Sequence, residues 1–464
     1  MHNKTLSTAE VADLAGVHRD TLLRWLREKV IPEPERDHRG WRVFSVEEAR
    51  AVSQYSKSGI LDVSSSSMPF DPSVDKLSKI DWNFSDAKTR YLTHGMHPYP
   101  AKFIPQIPNA LIQELSSVGE TVADIFCGSG TTLLEALQLK RNAVGVDANP
   151  IACLISGAKT TPLSADELEE VRTHLSFCQH MLENLNDETG DLFFSGKAFQ
   201  SDGWRPKIDV MEFWFLPEVV EELAEILASI NKMKLPKARN FCRAVFSAIV
   251  VSVSKQDSDT RYVRKEKTGT RVGDTFKKYT SQLKSSIGTA LELSDLIEDR
   301  FRCDVINSNI LLAPETRKFD LVVSSPPYPN AYSYHLYHRL RLIWLGFDDQ
   351  EFKKAEIGSH RKYSSKGKNR ATAQTFANEF SQILSWLTTR LTYGRYACFV
   401  VGDSTLNGER IDNAQLISDV ARPLGYTEVG RIERTIAPTR KAFNPKIGKI
   451  KTEKILILKN GTAQ

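Results

Sequence analysis

Two short runs of residues carry most of the chemistry that this 464-residue chain can be expected to do. The first is Ser325-Pro326-Pro327-Tyr328, which follows the apolar stretch Phe319-Asp-Leu-Val-Val. A stretch of that kind reads as a buried strand, so the four residues should stand at its C-terminal end, where open α/β sheets bind ligands. Adjacent prolines stiffen the backbone and remove two N–H donors, which leaves carbonyls as rigid acceptors. Ser325 Oγ and the Pro326 carbonyl form the natural pair of acceptors around an N–H-bearing group, and Tyr328 offers a ring for stacking. The second run is Asp124-Ile-Phe-Cys-Gly-Ser-Gly-Thr-Thr132, between a strand reading at Val122–Phe126 and a helix reading at Leu133–Leu139. Gly128 and Gly130 permit a sharp turn and a close ligand approach, and the helix N-terminus that follows offers unpaired N–H groups. Asp147 ends the next strand, where a carboxylate accepts hydrogen bonds from ribose hydroxyls. A dinucleotide site would carry a third glycine, but position 133 is Leu.

The elements that must hold these runs alternate between strand and helix. Strand signals stand at Ala143–Val146, Cys303–Ile306, Leu321–Val323, Ala397–Val401 and Lys454–Leu458. Amphipathic helical spacing occupies about 166–184, 218–230 and 240–253. The fold class expected is α/β, a mostly parallel sheet with a large helical insertion. The chain divides on this reading into a small helical unit at 1–55, a serine- and proline-bearing linker at 56–80, a first part of the α/β domain at 81–160, the insertion at 161–300 and a second part at 301–464.

The front unit has its own signals. Ser7 and Glu10 make a capping box, Val11, Leu14 and Ala15 share a face, and Gly16 permits a tight turn into a helix over Arg19–Glu28. Two helices joined this way form a helix-turn-helix, with Arg19, Arg24 and Arg27 placed for phosphate or base contacts. The polar segment Arg36–Phe44, which includes Arg42, reads as a wing, and Ser45 with Glu48 starts a third helix.

Composition bounds the class: 41% hydrophobic and 26% charged residues describe a globular chain without a membrane-length apolar run or a secretory leader, so a cytoplasmic location is expected. The six cysteines form no CxxC pair, so neither a zinc cluster nor a disulfide framework is expected. The net charge of +5 permits nucleic-acid binding without arguing for it. Basic runs at Arg261–Lys278 and Lys353–Arg370 include Arg261, Arg361 and Lys362 as candidate DNA contacts, interleaved downstream of Tyr328 with aromatic residues.

The run from Asp124 to Thr132 resembles motif I of S-adenosylmethionine-dependent DNA amino-methyltransferases, with Ile125 where that family usually has Pro. Ser-Pro-Pro-Tyr resembles motif IV of the same family, and His97-Pro-Tyr-Pro-Ala-Lys-Phe103 resembles the segment that precedes its cofactor loop. This resemblance implies a Rossmann-like class I methyltransferase fold, S-adenosylmethionine as cofactor, and transfer to the exocyclic amine of a base flipped out of duplex DNA. It implies cofactor contacts from Asp124 at the methionine end, Phe126, Gly128, Gly130 and Thr131 along the loop, and Asp147 at the ribose. Asn149 beyond the ribose, Pro100 and Lys102 near the methionine, and Asn309 beside the adenine ring complete the set. Asn309 departs from the acid that the family often carries there. Ser325 in first place leans toward cytosine N4, whereas Asp or Asn is more usual for adenine N6. The front unit is similar to the winged helix-turn-helix of MerR-type regulators and phage excisionases, which makes double-stranded DNA the expected partner. Without a nuclease signature, a restriction or defence partner would be a separate chain. Adenine N6 methylation, an RNA guanine-N2 methyltransferase and a methyltransferase-like transcription regulator stand as the alternatives.

Overall fold

The computed structural model describes residues 6–27, 31, 33–36, 41–58, 71–190, 200–267, 270–329, 333–364, 371–406, 408–436 and 452–461. The chain divides into two compact units, Met1–Phe70 and Asp71–Gln464.

In the first unit, strand β1 (Leu6–Ser7) pairs antiparallel with β2 (Val43–Phe44), and helices α1 (Thr8–Ala15), α2 (Arg19–Arg27) and α3 (Val46–Ser58) pack around them. Ser7 and Glu10 close the capping box on α1, and Gly16 caps its end at φ 66°, in the left-handed region that glycine tolerates. The core is Val11, Ala12, Ala15, Leu22, Leu26, Ile31, Phe44, Ala49 and Val52. Leu14 is 51% exposed, so the buried stripe of α1 runs through Ala12 where the sequence suggested Leu14. Arg19, Arg24 and Arg27 lie on the exposed side of α2. A bridge pairs Arg36 with Arg42, and residues 37–40 of the segment read as a wing lie outside the described residues.

The second unit begins earlier than its composition suggests. Helix α4 (Pro72–Leu77) falls inside the stretch read as linker, and α3 runs past residue 55 to Ser58. Asp71 caps α4 through Ser73 N at 3.1 Å and also takes hydrogen bonds from Tyr396 Oη and Lys459 Nζ, 2.9 and 2.8 Å to its Oδ2. A segment tethered by a buried carboxylate and by fully buried Leu77 is part of the fold, so the residues from Asp71 to Ile80, read as linker, belong to the second unit.

In order, the second unit continues with α5 (Gln106–Leu115), β3 (Thr121–Asp124), α6 (Thr131–Gln138), β4 (Asn142–Asp147), α7 (Pro150–Thr160), α8 (Ala165–Gly190), α9 (Ile208–Trp214), α10 (Pro217–Asn231), α11 (Pro236–Val253), β5 (Gln256–Ser258), β6 (Arg261–Arg264) and α12 (Asp274–Leu296). It closes with β7 (Cys303–Asn307), β8 (Phe319–Ser324), α13 (Tyr334–Tyr337), α14 (Arg339–Trp344), α15 (Asp349–Ala355), α16 (His360–Ser364), α17 (Ala373–Arg390), β9 (Leu391–Gly402), β10 (Ser404–Leu406), β11 (Glu409–Ile411), α18 (Asn413–Ala421), β12 (Tyr426–Thr435) and β13 (Thr452–Asn460). Seven strands form one sheet in the order β12-β13-β9-β8-β3-β4-β7. The pairs β9–β8, β8–β3, β3–β4 and β4–β7 are parallel, and β13 enters antiparallel against both β9 and β12. This is a Rossmann-like methyltransferase fold with a helical insertion. Apolar clusters cover both faces of the sheet, one including Leu133, Leu321 and Ile457, the other Ala123, Phe380 and Leu456. A third cluster gathers α8, α10, α11 and α12 with Ile151 and Ile155 of α7 and Leu340 and Trp344 of α14, so the insertion shares its core with the α/β body. The insertion also carries the β5–β6 hairpin, which its helical spacing did not indicate.

The chain leaves β3 toward β4 on one side and meets β8 on the other. The β3–β8 boundary is therefore the switch point at which an open α/β sheet leaves a crevice at its C-terminal edge. Both chemistry-bearing runs emerge there.

Candidate active site

The register Val122↔Leu321 and Ala123↔Val322 sets the glycine loop beside Ser-Pro-Pro-Tyr, although about 200 residues separate them in sequence. Two hydrogen bonds stitch the strand ends together. Ser324 Oγ donates to Asp124 Oδ1 at 2.6 Å, and Thr132 Oγ1 donates to the Val323 carbonyl at 3.2 Å. Between the loops lies a cavity of about 830 Å³, counting its open mouth, which suits an organic ligand of drug size.

The glycine loop is built without slack. Gly130 has φ +73°, and a Cβ there would stand 2.8 Å from Ser156 Cβ; Gly128 has φ +48°, and its Cβ would stand 3.2 Å from the Tyr99 ring. Lys159, buried on α7, donates to the Ser129 carbonyl at 2.6 Å and so fixes the loop from below. Burial lowers the Lys159 ammonium pKa well below its usual value. Beside it, Glu135 on α6 is fully buried and takes hydrogen bonds from Tyr91 Oη (2.7 Å), Asn109 Nδ2 (2.6 Å) and the His94 ring (2.6 Å). None of Glu135, Lys159 or His94 announced itself in sequence, because a single buried polar residue in an apolar helix shows no partner until the fold supplies one.

Asp124, Phe126, Gly128, Thr131, Asp147, Asn149, Asn309 and Lys102 all line the cavity. Asp124 and Asp147 end neighbouring strands. Burial raises each carboxyl to about 6, against hydrogen bonds that pull the other way, from Ser324, Thr132 and Phe126 N on Asp124 and from Asn149 N and Gly128 N on Asp147. Gly128 N donates to Asp147 at 2.8 Å, so this carboxylate shapes the loop as well as facing the cavity. Asn149 Oδ1 caps α7 through Ile151 N, and Asn309 Oδ1 takes Leu311 N, both at 3.0 Å. Lys102 turns its ammonium to the His94 carbonyl at 2.9 Å. Pro100 is buried but is not among the lining residues; its neighbours Tyr99 and Ala101 are, Ala101 at φ +55°.

The catalytic loop divides differently from its reading. Ser325 and Pro327 line the cavity, while Pro326 is buried and outside the lining. Ser325 Oγ donates its proton to the Val400 carbonyl at 3.0 Å, which leaves its lone pairs for an incoming N–H. Tyr328, read as a stacking ring, is not among the lining residues; it is half-buried and packs against the core of one sheet face. Tyr99 and Tyr334 supply the aromatic wall, with ring centroids 6.3 Å apart and 24° between their planes. Phe352, Ala355, Glu356 and Ile357 complete it, from a segment whose sequence showed only a basic run.

The basic residues read as DNA contacts are spread over several elements. Arg42 donates to Glu33 Oε1 at 2.7 Å, and Arg36 reaches the same oxygen at 2.8 Å. Those bonds hold the Glu33 carboxyl below its usual range, the Arg42 hydrogen bond first. Arg261 is exposed on β6, 3.6 Å from Asp257. Lys362 pairs with Glu379 at 3.0 Å, and the Arg361 side chain lies outside what is described.

The cavity fits S-adenosylmethionine on its own evidence of shape and polarity. The carboxylates of Asp124 and Asp147 face it at the glycine loop, a glycine turn leads into a helix N-terminus, and Ser129 Oγ is buried at its wall without a hydrogen-bond partner among the described residues. Among the described residues, no helix is long and apolar enough to cross a membrane, and no group of three His, Cys, Asp or Glu could hold a metal ion.

Comparison with known proteins agrees with this geometry. Residues 28–157, which include the glycine loop and Asp147, match the DNA methylase family model, and residues 7–44 match the MerR family regulatory protein model. The Type II methyltransferase M.MvaI of Kocuria varians is 31% identical over 296 residues, covering 59% of this chain and 63% of the relative. The Type II methyltransferase M.BsoBI of Geobacillus stearothermophilus is 24% identical over 289 residues, covering 56% of this chain and 54% of the relative. The chain thus spans less than two thirds of the length of either relative. Among solved structures, the rRNA methyltransferase aviRa of Streptomyces viridochromogenes is 11% identical, covers 79% of this chain and 89% of its own, and has a TM-score of 0.29, too low to carry weight.

Proposed function

We propose that this chain, whose body is of the amino-methyltransferase type and whose front is of the MerR type, methylates the exocyclic amine of a base in double-stranded DNA with S-adenosylmethionine, cytosine N4 being the favoured target. The observation that carries the reading is the single cavity shared by the glycine loop and by Ser325 and Pro327. Asp147 would hold the ribose hydroxyls, Asp124 and the loop the methionine end, and the Tyr99–Tyr334 wall an aromatic ring. When bound, the cofactor supplies an electrophilic methyl on a sulfonium.

The amine of a base is a weak nucleophile, since its lone pair is delocalised into the ring. An acceptor beside its N–H bonds favours a more tetrahedral nitrogen with a localised lone pair. Ser325 Oγ is suited to that because its own proton is committed to Val400. Catalysis would rest on positioning and fixed dipoles. A base stacked in a duplex cannot reach such a cavity and must be flipped out. Ser325 supports cytosine over adenine, the second reading. The exposed Arg19, Arg24 and Arg27 on α2 support DNA contact by the first unit. The names of the relatives support a place beside a separate restriction nuclease.

Incubation of the full chain with methyl-labelled cofactor and either duplex DNA or tRNA tests the reading. Nucleoside analysis of the product should give N4-methylcytosine. N6-methyladenine would move the target, label in tRNA alone would move the substrate, and cofactor binding without transfer to either would end the enzyme reading.

A further inference from the structure

The cavity contains one carboxylate that the roles above leave unused. Glu356 follows α15 and is 5% exposed. The segment from Glu356 to Ser359 runs along the catalytic loop. Gly358, at φ +71°, approaches so closely that a Cβ there would sit 3.0 Å from the carbonyl oxygens of both Pro327 and Tyr328. Ser359 Oγ lies 3.3 Å from Ser333 Oγ, which ties the same segment to the start of α13. Glu356 is thereby set into the wall that Ser325 and Pro327 also form.

Its oxygens have defined partners. Oε1 accepts from Tyr334 N and Oε2 meets His335 Nδ1, both at 2.5 Å. His335 is itself buried, and its Nε2 has no hydrogen-bond partner among the described residues. Oε1 also accepts from His335 N at 3.4 Å, so both of its lone pairs are engaged, whereas Oε2 keeps one for a further hydrogen bond from the cavity side. The plain structural account is that Glu356 caps the short helix α13. That account explains the bond to Tyr334 N, but it does not require a carboxylate on the cavity wall backed by a buried imidazole.

We propose that Glu356 is a catalytic residue that receives the proton released by the target amine, with His335 as the positioning residue that orients it. The proposal rests on the amine-methylation reading. The lone pair of the amine nitrogen forms the new N–C bond as the S–C bond of the sulfonium breaks, its electron pair remaining on sulfur as a neutral thioether. The nitrogen then carries one proton in excess, with a positive charge. That proton passes to Glu356, and on product release from Glu356 to water, so charge and atoms balance.

Glu356→Gln tests this in the full chain with duplex DNA. The amide keeps an oxygen for Tyr334 N and can donate to the other tautomer of His335, so the cap survives while the proton acceptor is lost. The single-turnover rate of methyl transfer should fall on the order of 100-fold or more, the range of a general base, while cofactor affinity stays within about 3-fold of wild type. Glu356→Asp, which keeps the carboxylate one methylene short, should recover part of the rate. His335→Asn should lower the rate less than Glu356→Gln does. A Glu356→Gln rate close to wild type would overturn the proposal and leave the residue a helix cap. Parallel loss of cofactor affinity and rate would also overturn it, since the residue would then act through cavity shape. If the wild-type chain transfers no methyl to DNA, the amine-methylation reading itself has failed.

Discussion

Gly130→Ala isolates what the glycine loop contributes. The residue stands at φ +73°, where an L side chain costs roughly 1–2 kcal/mol. The added Cβ would also meet Ser156 Cβ at 2.8 Å and Ser156 Cα at 3.0 Å, inside a wall made of helix α7. Overpacking of that kind typically costs about 1–3 kcal/mol, so the sum is about 2–5 kcal/mol against a usual stability of 5–15. The loop can escape part of this by moving, and then Gly128 N and the start of α6 leave their cavity positions. Urea unfolding should therefore show a lowered midpoint in the transition that cofactor shifts upward, which marks the unit holding the loop. Calorimetry should show weaker cofactor binding in the same variant. Ser156→Gly alone should cost about 1 kcal/mol as a helix-interior glycine. Combined with Gly130→Ala, it removes the Cβ–Cβ clash but not the dihedral strain, so the double variant should be less destabilised than the sum of the two. Additive costs, or a Gly130→Ala chain with unchanged midpoint and cofactor affinity, would refute the account of this loop.

Other outcomes follow from the same geometry. Asp124 and Asp147 stand at about 6 in the folded chain, above the ordinary 3.8, so the folded state holds more protons than the unfolded one between those values. Their contribution to stability without cofactor therefore rises as pH falls through about 6, whereas cofactor affinity, which in the proposed roles draws on both charged carboxylates, should drop between pH 7 and 5 in a titration series. Lys159→Met leaves the buried Ser129 carbonyl without its donor, an expected loss of roughly 1–3 kcal/mol seen in urea midpoints, together with weaker cofactor binding. Pro327→Ala should depress methyl transfer while leaving cofactor affinity within about 3-fold, since it frees the acceptor loop but not the glycine loop. Tyr328→Ala, which removes a half-buried ring packed against the core of the sheet, should lower stability by roughly 1–3 kcal/mol; a loss of transfer with no change in unfolding would support the stacking role for this ring.

The apolar runs of β3, β4, β8 and β9 could be recognised in the chain, because strands buried on both faces need continuous apolar sequence. Strand β12, with Glu428, Gly430, Arg431 and Glu433 in it, could not: it lies at the sheet edge and its identity comes from pairing with β13. The same reasoning separates the loops. Gly128, Gly130, Asp147 and Ser325 were legible because backbone conformation and acceptor chemistry demand particular residue types at fixed distances from a strand. Tyr328, read as a stacking ring, packs against the core of one sheet face, and where such a ring points is decided by neighbours that the sequence does not show. Glu135, Lys159, Tyr99, Tyr334 and Glu356 were silent for a related reason. A lone polar or aromatic side chain acquires a role only from partners brought by other elements, some near, as Tyr91 is to Glu135, and some as far off as Tyr334 is from Tyr99. The sequence by itself determined which two loops could do the chemistry and the class of element that carries each, since those follow from local dihedral and donor–acceptor rules. Only the tertiary structure decided that β3 and β8 are neighbours, and with that which side chains from distant segments wall the cavity between them.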